Sequence, residues 1–428
     1  MPRPYRIIVL FLLPALTLAL GWQLGMRFER TALEASRRQL DVLYGLQSGS
    51  GTVVNDPQKE VNIGLLWSVW RLLLAEYITP NDLQTTPMLY GAVRGMVNAV
   101  GDPYTSFMTP NENKDFHAGL SGDLQGIGAE LSVRKGKIIV VSPIKGSPAE
   151  KAGLLPEDEI TGVNGTAVEG QTLQDVVEKI RGKKGTSVTL TITRASSAEP
   201  VELTVVRADI HVPSTESEIK QTPQGTVGVL TVNQFGGDTL AEADKVLKDF
   251  AKKNPDGIIL DLRFNGGGYL DGAVDLSSYF LKEGKVVTVE GRDGPPQVHS
   301  VSGHPLFPAL PLVVLVNQGT ASASEIVAGA LQDHERATII GMKTFGKGTV
   351  QEVLDLPGGS SLRVTIAHWL TPDGRNLGKE GVIPDIKIDR TPEDMDAKKD
   401  PQMDAAMTWL LEKKDVTEGA SSSAQSSR

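Results

Sequence analysis

Residues 311–334 read PLVVLVNQGTASASEIVAGALQDH. Leu312 to Val316 are apolar without a break, as a strand covered on both faces requires. An amphipathic helix over 322–335 and a strand over 337–342 follow. The same alternation begins earlier: strand 226–235, helix 238–253, strand 257–263 and helix 270–281. The run IILDL at 258–262 is again apolar but for Asp261. Alternating β and α patterns with such strands predict an α/β core around a mainly parallel sheet. Strands over 349–356 and 361–369 read as a hairpin around Pro357-Gly358-Gly359.

Outward from this core the texture changes. Residues 126–207 form a β-rich module of short strands punctuated by glycine, with a helix over 171–181 and a short one over 147–152. Residues 61–102 are helical by pattern, and 45–60 (GLQSGSGTVVNDPQKE) read as a flexible linker. Leu33, Leu40 and Leu43 mark a short amphipathic stretch over 28–44 that pairs with a copy of itself or stands as a solvated stalk. Arg3 and Arg6 precede an uncharged run from Ile7 to Met26, which as a helix spans about 30 Å, the thickness of a bilayer core. Its exit, Leu20-Gly21-Trp22-Gln23-Leu24-Gly25, lacks a small-x-small cleavage site, favouring a retained signal-anchor over a cleaved signal peptide. Four arginines follow the run, yet a six-residue N-tail before a long translocated body puts the body outside the cytoplasm. The tail from 415 is Ser-rich and reads as disordered.

Composition narrows the function. The 428 residues are 40% hydrophobic and 22% charged, which is globular and excludes collagen, a long coiled coil and wholesale disorder. A net charge of -9 argues against nucleic acid as a partner. There is no cysteine, hence no disulfide, thiolate metal site or Cys nucleophile. No histidine pair has metal-ligand spacing, and neither a metal nor another cofactor is expected.

Three stretches can carry chemistry. In G-T-A-S-A-S-E-I at 319–326, Ser322 sits at the end of a strand, before amides that belong to a helix N-terminus. Such amides are unpaired and favour an anion, the geometry of an oxyanion hole; a serine there also serves as an N-cap. In G-K-G-T-V-Q at 346–351, Lys347 lies between glycines at a strand entry. Exposed, it is a surface charge; desolvated, its amine is a general base. One helix and one strand separate it from Ser322, a path that returns the chain to the same end of the sheet. In D-L-R-F-N-G-G-G at 261–268, three glycines end a buried strand. They fit neither phosphate-cradling pattern and offer either backbone donors to an oxyanion or a tight turn. Asp333-His334 lies about 16 Å along the helix from Ser322, too far for a Ser-His-Asp arrangement within one helix.

These motifs, in this order, resemble the carboxyl-terminal processing (tail-specific) proteases, Ser/Lys peptidases. The resemblance covers about 59–390 and includes G-D-P-Y-T-S-F at 101–107, G-I-G-A-E-L at 126–131, G-S-P-A-E-K-A-G-L at 146–154 and D-E-I-T-G-V-N-G at 158–165. It also takes in I-R-G-K-K-G-T at 180–186, T-P-D-G-R at 371–375 and G-V-I-P-D-I at 381–386. It implies a core similar to the ClpP/crotonase fold, interrupted by a PDZ domain. The expected order is a signal-anchor at 1–30, stalk and linker at 31–58 and a helical part of the core at 59–115. A PDZ domain at 116–208, the protease core at 209–390 and a helix with disordered tail at 391–428 complete it.

The resemblance aligns Ser322 with the nucleophile, Lys347 with the general base and Gln351 with a residue that orients the lysine. Asp333 matches a carboxylate near the site. The oxyanion donors would be the amide of Ala323 and that of a glycine at 266–268, with Gly267 and Gly268 favoured. Members often read R-N-N-P-G-G where this chain has Arg263-Phe264-Asn265-Gly266-Gly267-Gly268, so the inward-pointing amide is left open. Gly126, Ile127 and Gly128 would receive a substrate's C-terminal carboxylate, with the peptide added as a strand. Arg181 would report PDZ occupancy to the core, or is a solvated surface arginine. The implied partners are proteins or peptides with exposed C-termini, the membrane, and a second copy of the chain. Two other functions are weighed: a peptide-binding scaffold without turnover, which has no use for the combination of Ser322, Lys347 and Gln351, and a crotonase-like acyl-CoA enzyme, which has no use for an inserted PDZ module and an anchor.

Overall fold

The computed structural model describes residues 63–412 apart from 135, 145, 195, 196, 198, 304 and 379. The expected anchor, stalk and linker, and the Ser-rich tail, lie outside the described residues. Among those described, no helix is long and apolar enough to cross a membrane. The chain divides into one unit ending at Thr85 and another beginning at Thr86.

In the first unit the helix Gly64–Glu76 is followed by a single 3-10 turn, Pro80–Asp82. Its side chains bury nothing, and Trp67 and Trp70 lie with ring centroids 6.3 Å apart. The helix expected over 61–102 is broken here. Pro80 lacks an N–H and pushes Thr79 out of helical geometry, to φ -124 and ψ 67. Helical structure resumes over Thr85–Asn98.

The second unit is organised by a six-stranded sheet. Its order is Thr215–Thr222, Gly225–Val232, Gly257–Asp261, Leu312–Val316, Thr338–Gly341 and Ile386–Lys387. Only the first pair is antiparallel. Every residue of Gly257–Asp261 and Leu312–Val316 is buried, which explains the apolar run of the latter and of Ile258–Leu260; Asp261 is buried against Arg263. Alternate residues divide between two clusters, as strand geometry dictates. Ile258, Leu260, Leu312 and Val314 join Leu247, Phe250, Leu276 and Val327, which belong to helices Thr239–Lys253, Leu270–Ser278 and Ala323–Asp333 or their flanks. Ile259, Val313, Leu315 and Ile340 join Ala406 and Leu410 of a helix over 401–412. Thr215–Thr222 was not expected. It lies at the sheet edge, exposes Glu216, Ser217, Glu218 and Gln221, and carries no apolar run.

A second, antiparallel sheet runs Ser106–Met108, Ser361–Leu370, Lys285–Gly291, Gln297–Ser300, with Thr349–Asp355 also paired to Ser361–Leu370. The Thr349–Asp355/Ser361–Leu370 hairpin matches the sequence pattern; the other three strands were not foreseen. The β-rich module has its own core, including Val140, Ile160, Val176, Leu190 and Ile192. Its sheet begins with the edge strand Ala129–Arg134, which touches helix Leu173–Ile180. Asp123–Gly126 and Ala208–His211 pair antiparallel where the chain enters and leaves this module.

The helix over 401–412 is fixed by packing and charge. A Cβ on Gly257 would meet Leu410 at 2.9 Å, so strand and helix approach as closely as a glycine allows. Arg263, with its side chain 8% exposed, pairs with Asp261 at 2.6 Å and Asp400 at 2.8 Å. Leu410 is 1% exposed. Leu410→Ala is expected to destabilise the core by about 2–5 kcal/mol, read as a lower urea midpoint for the full chain. A midpoint unchanged from wild type would show that the helix does not close the sheet.

Candidate active site

The two loops carrying Ser322 and the glycines leave the carboxyl ends of adjacent parallel strands, where open α/β sheets present ligands. Their proximity is enforced by hydrogen bonds. Thr320 donates its hydroxyl to the Leu262 carbonyl at 2.8 Å, and Ala321 N–H reaches the Asn265 carbonyl at 3.0 Å. Asn265 is fully buried; its side-chain amide holds the Val232 carbonyl at 2.7 Å, and its carbonyl also accepts from Ser324 Oγ at 3.0 Å.

Ser322 stands just before helix Ala323–Asp333 with φ 56 and ψ -119. A non-glycine residue there is strained, at a cost of about 1–3 kcal/mol, and persists only where its surroundings over-determine it. Glu325 supplies much of that constraint. It is fully buried, and its carboxylate accepts from Ser322 N–H at 2.9 Å, Thr344 Oγ1 at 2.5 Å, Gly346 N–H at 2.7 Å and Lys347 N–H at 2.9 Å. One side chain thus ties the serine junction to the lysine loop. The sequence reading gave Glu325 no role, although Ser-x-x-Glu at a helix start is the capping-box spacing that signals it.

The glycine loop resolves which amides are available. Gly267 N–H donates to Asn265 Oδ1 at 2.9 Å and is therefore engaged within the loop, contrary to its expected place beside Gly268 as an oxyanion donor. Among the described residues, the amides of Gly268 and Ala323 have no acceptor. Gly267 instead gives clearance: at φ +99, its Cβ would stand 2.7 Å from Ser322 Cβ and 2.9 Å from Ala323 N. A Cβ on Gly268 would strike the Phe235 carbonyl oxygen at 2.1 Å. Phe264 holds φ 61 and is 70% exposed.

Ser322, Ala323, the glycines 266–268, Lys347 and Gln351 line one cavity of about 510 Å³. Burial pulls the Lys347 ammonium below the ordinary lysine range, and the Arg363 charge pushes the same way; Glu325 and Asp102 oppose. Gln351 turns its amide nitrogen to Thr349 Oγ1 at 2.9 Å and Thr365 Oγ1 at 3.1 Å rather than to Lys347. Asp333 does not line the cavity. Its carboxylate pairs with Arg375 and accepts from Asp373 N–H at 2.9 Å, holding the 371–375 turn. His334 is bound to the Lys285 carbonyl at 2.8 Å.

In the β-rich module Gly128 takes φ +77, and its carbonyl accepts from Ser147 Oγ at 2.9 Å and Ile144 N–H at 2.9 Å. The Ile127 carbonyl accepts from Ala149 N–H at 2.8 Å, and Gly126 ends a paired strand. The 126–128 loop therefore leads directly into the edge strand Ala129–Arg134. Arg181 approaches Asp115 of helix Pro110–Ser121 at 3.8 Å, with both side chains exposed.

A family model for peptidase family S41 matches residues 226–388, and one for a PDZ domain matches 139–194. A photosystem II D1 C-terminal processing protease of known structure is 32% identical, with a TM-score of 0.50 over 78% of this chain and 90% of that one. The chain belongs to peptidase family S41. Probable CtpA-like serine proteases are 41% identical over 336 residues in Staphylococcus aureus and 40% over 333 in Staphylococcus epidermidis. The S. aureus match spans 77% of this chain and 65% of that relative's length. A putative S41 protease from Bacteroides fragilis, 17% identical, shares the fold with a TM-score of 0.55 over 82% of this chain and 96% of that one.

Glu325→Ala is expected to leave four donors without their acceptor and to cost at least about 3 kcal/mol, read as a lower melting temperature of the full chain. An unchanged melt would mean that water replaces the carboxylate and the hub is dispensable.

Proposed function

We propose that the chain is a membrane-anchored serine endopeptidase that takes substrate C-termini on its PDZ domain and cleaves peptide bonds through a Ser/Lys acyl-enzyme. The carrying observation is the strained Ser322 sharing one cavity with the desolvated Lys347 and with the acceptor-free amides of Ala323 and Gly268. Neutral Lys347 takes the Ser322 proton as Oγ attacks the carbonyl; the two amides hold the oxyanion. The lysine then protonates the leaving amine, and water, with Lys347 again as base, releases the acyl group. Gln351 is assigned to orienting the lysine once its amide leaves Thr349 and Thr365, and Asp333 to supporting the neighbouring turn.

The open edge of Ala129–Arg134 suits strand addition, with the amides of the 126–128 loop facing the carboxylate. Arg181 is assigned to coupling, because Asp115 precedes Phe116 and His117, which line the cavity. A core of ClpP/crotonase type and a single anchor over Ile7–Met26, with the catalytic body outside the cytoplasm, complete the reading.

The test is cleavage of an unfolded protein with an apolar C-terminus by the full chain. Ser322→Ala and Lys347→Ala are each expected to lower kcat by at least about a thousandfold. The rate should rise with pH as Lys347 loses its proton, with a midpoint below that of free lysine, because the base form is the deprotonated one. Both variants cutting like wild type would refute the site. Arg181→Ala is expected to change the rate on substrates bearing a PDZ-binding C-terminus while leaving that on a short peptide without one unchanged; equal effects on the two would remove Arg181 from the coupling role.

A further inference from the structure

The stretch G-D-P-Y-T-S-F at 101–107 has no chemical role in the sequence, yet its Tyr104 meets Lys347, a residue that lines the cavity. Asp102 folds it: one carboxylate oxygen accepts from Tyr104 N–H at 3.0 Å, the other from Thr105 Oγ1 at 2.6 Å. From the other side, Arg363 Nε donates to the Tyr104 carbonyl at 3.1 Å, and Thr365 N–H donates to Thr105 Oγ1 at 3.1 Å. Ser106–Met108 then pairs in register with Ser361–Arg363. The half-buried Tyr104 is therefore set by its backbone on both flanks.

The Lys347 ammonium lies over the Tyr104 ring, 5.3 Å from its centroid. Among the described residues it makes no hydrogen bond and no ion pair. A largely buried ammonium without a partner is costly, and an aromatic face within about 6 Å is a recognised substitute. The neighbouring hydrogen bonds exclude the obvious competitors. Glu325 is occupied by four other donors, and among the described residues Gln351 makes its side-chain hydrogen bonds through Nε2 to two threonines and none to Lys347.

We propose that Tyr104 is a positioning residue acting through Lys347: its ring face is the resting seat of the ammonium, which must leave that face before the amine can serve Ser322. This rests on the reading of Lys347 as the base. The ring stabilises the charged lysine, adding to Glu325 of helix Ala323–Asp333 and to Asp102. Burial and Arg363 of strand Ser361–Leu370 favour the neutral form. His117 of helix Pro110–Ser121 and Glu352 of strand Thr349–Asp355 also line the cavity. His117 is the histidine among these groups and is the one to be separated from Lys347.

The experiment keeps the ring's shape and changes its face. In the full chain Tyr104→Phe is compared with phenylalanine analogues carrying one, two and three ring fluorines, which progressively drain negative potential from the face. For each, kcat/KM on a fluorogenic peptide with an apolar C-terminal residue is followed against pH. The acid limb of Tyr104→Phe is expected to coincide with that of wild type. The fluorinated series should move it stepwise to lower pH, by about half a unit in total, because the charged lysine loses its seat. The same steps are expected in a His117→Gln background. Coincident profiles across the series, with Lys347→Ala inactive, would overturn the role of Tyr104 and leave the base reading standing. Steps that vanish with His117→Gln would overturn it as well, assigning the limb to the histidine. Full activity of Lys347→Ala would remove the reading beneath it and the inference together.

Discussion

The site depends on one buried carboxylate. Among the described residues Glu325 forms no ion pair; four donors from two chain segments satisfy it. Burying an ion this way costs several kcal/mol unless its hydrogen bonds are complete, so losing any one donor weakens the reason for the others to stay. That interdependence is what a catalytic junction needs. The amide of Ser322 and that of Lys347 end on the same oxygen, Oε2, and the two backbones cannot drift apart independently. The same charge also favours the ammonium form of Lys347, so one group fixes the geometry and helps set the protonation of the base.

Around this point the fold stores strain. Ser322 at φ 56 and Phe264 at φ 61 occupy the two loops that meet above the sheet. Each is held by its neighbours: Asn317 Oδ1 accepts from Phe264 N–H at 2.9 Å and from Gly319 N–H at 3.0 Å, and Thr320 bridges back to Leu262. Strain of this kind survives only if the scaffold is stiffer than the loop. The parallel strands below, buried on both faces by separate clusters, provide that stiffness. A second anchor lies farther out, where Arg263 ties the strand end that launches the glycine loop to Asp400, just before the helix over 401–412.

Much of the fold was legible because periodicity reports burial. The apolar runs at 258–262 and 312–316 announced strands covered twice, and the α/β alternation placed Ser322 and Lys347 at one end of one sheet. What escaped had no such pattern. The edge strand Thr215–Thr222 faces solvent with charges, and Lys285–Gly291 and Gln297–Ser300 pair with each other but join the sheet only through Ser361–Leu370, distant in sequence. Side-chain roles were legible only where a spacing encodes them. The glycines marked a loop needing positive φ, but not that Asn265 would engage the amide of Gly267. Tyr104 lies more than two hundred residues before Lys347 in the chain, and no local pattern links them.

The charges around Lys347 show why solvent, rather than any single partner, governs it. Two carboxylates, Glu325 and Asp102, and the Tyr104 face favour the ammonium; Arg363 alone among the facing charges opposes it. Arg363 is nevertheless the largest of the three charge contributions, and with burial it holds the lysine below its ordinary range. Desolvation is the largest contribution of all. The protonation state thus depends on how much water the cavity admits. Filling the cavity removes water from around Lys347 and disfavours its charged form, whereas an open cavity favours it.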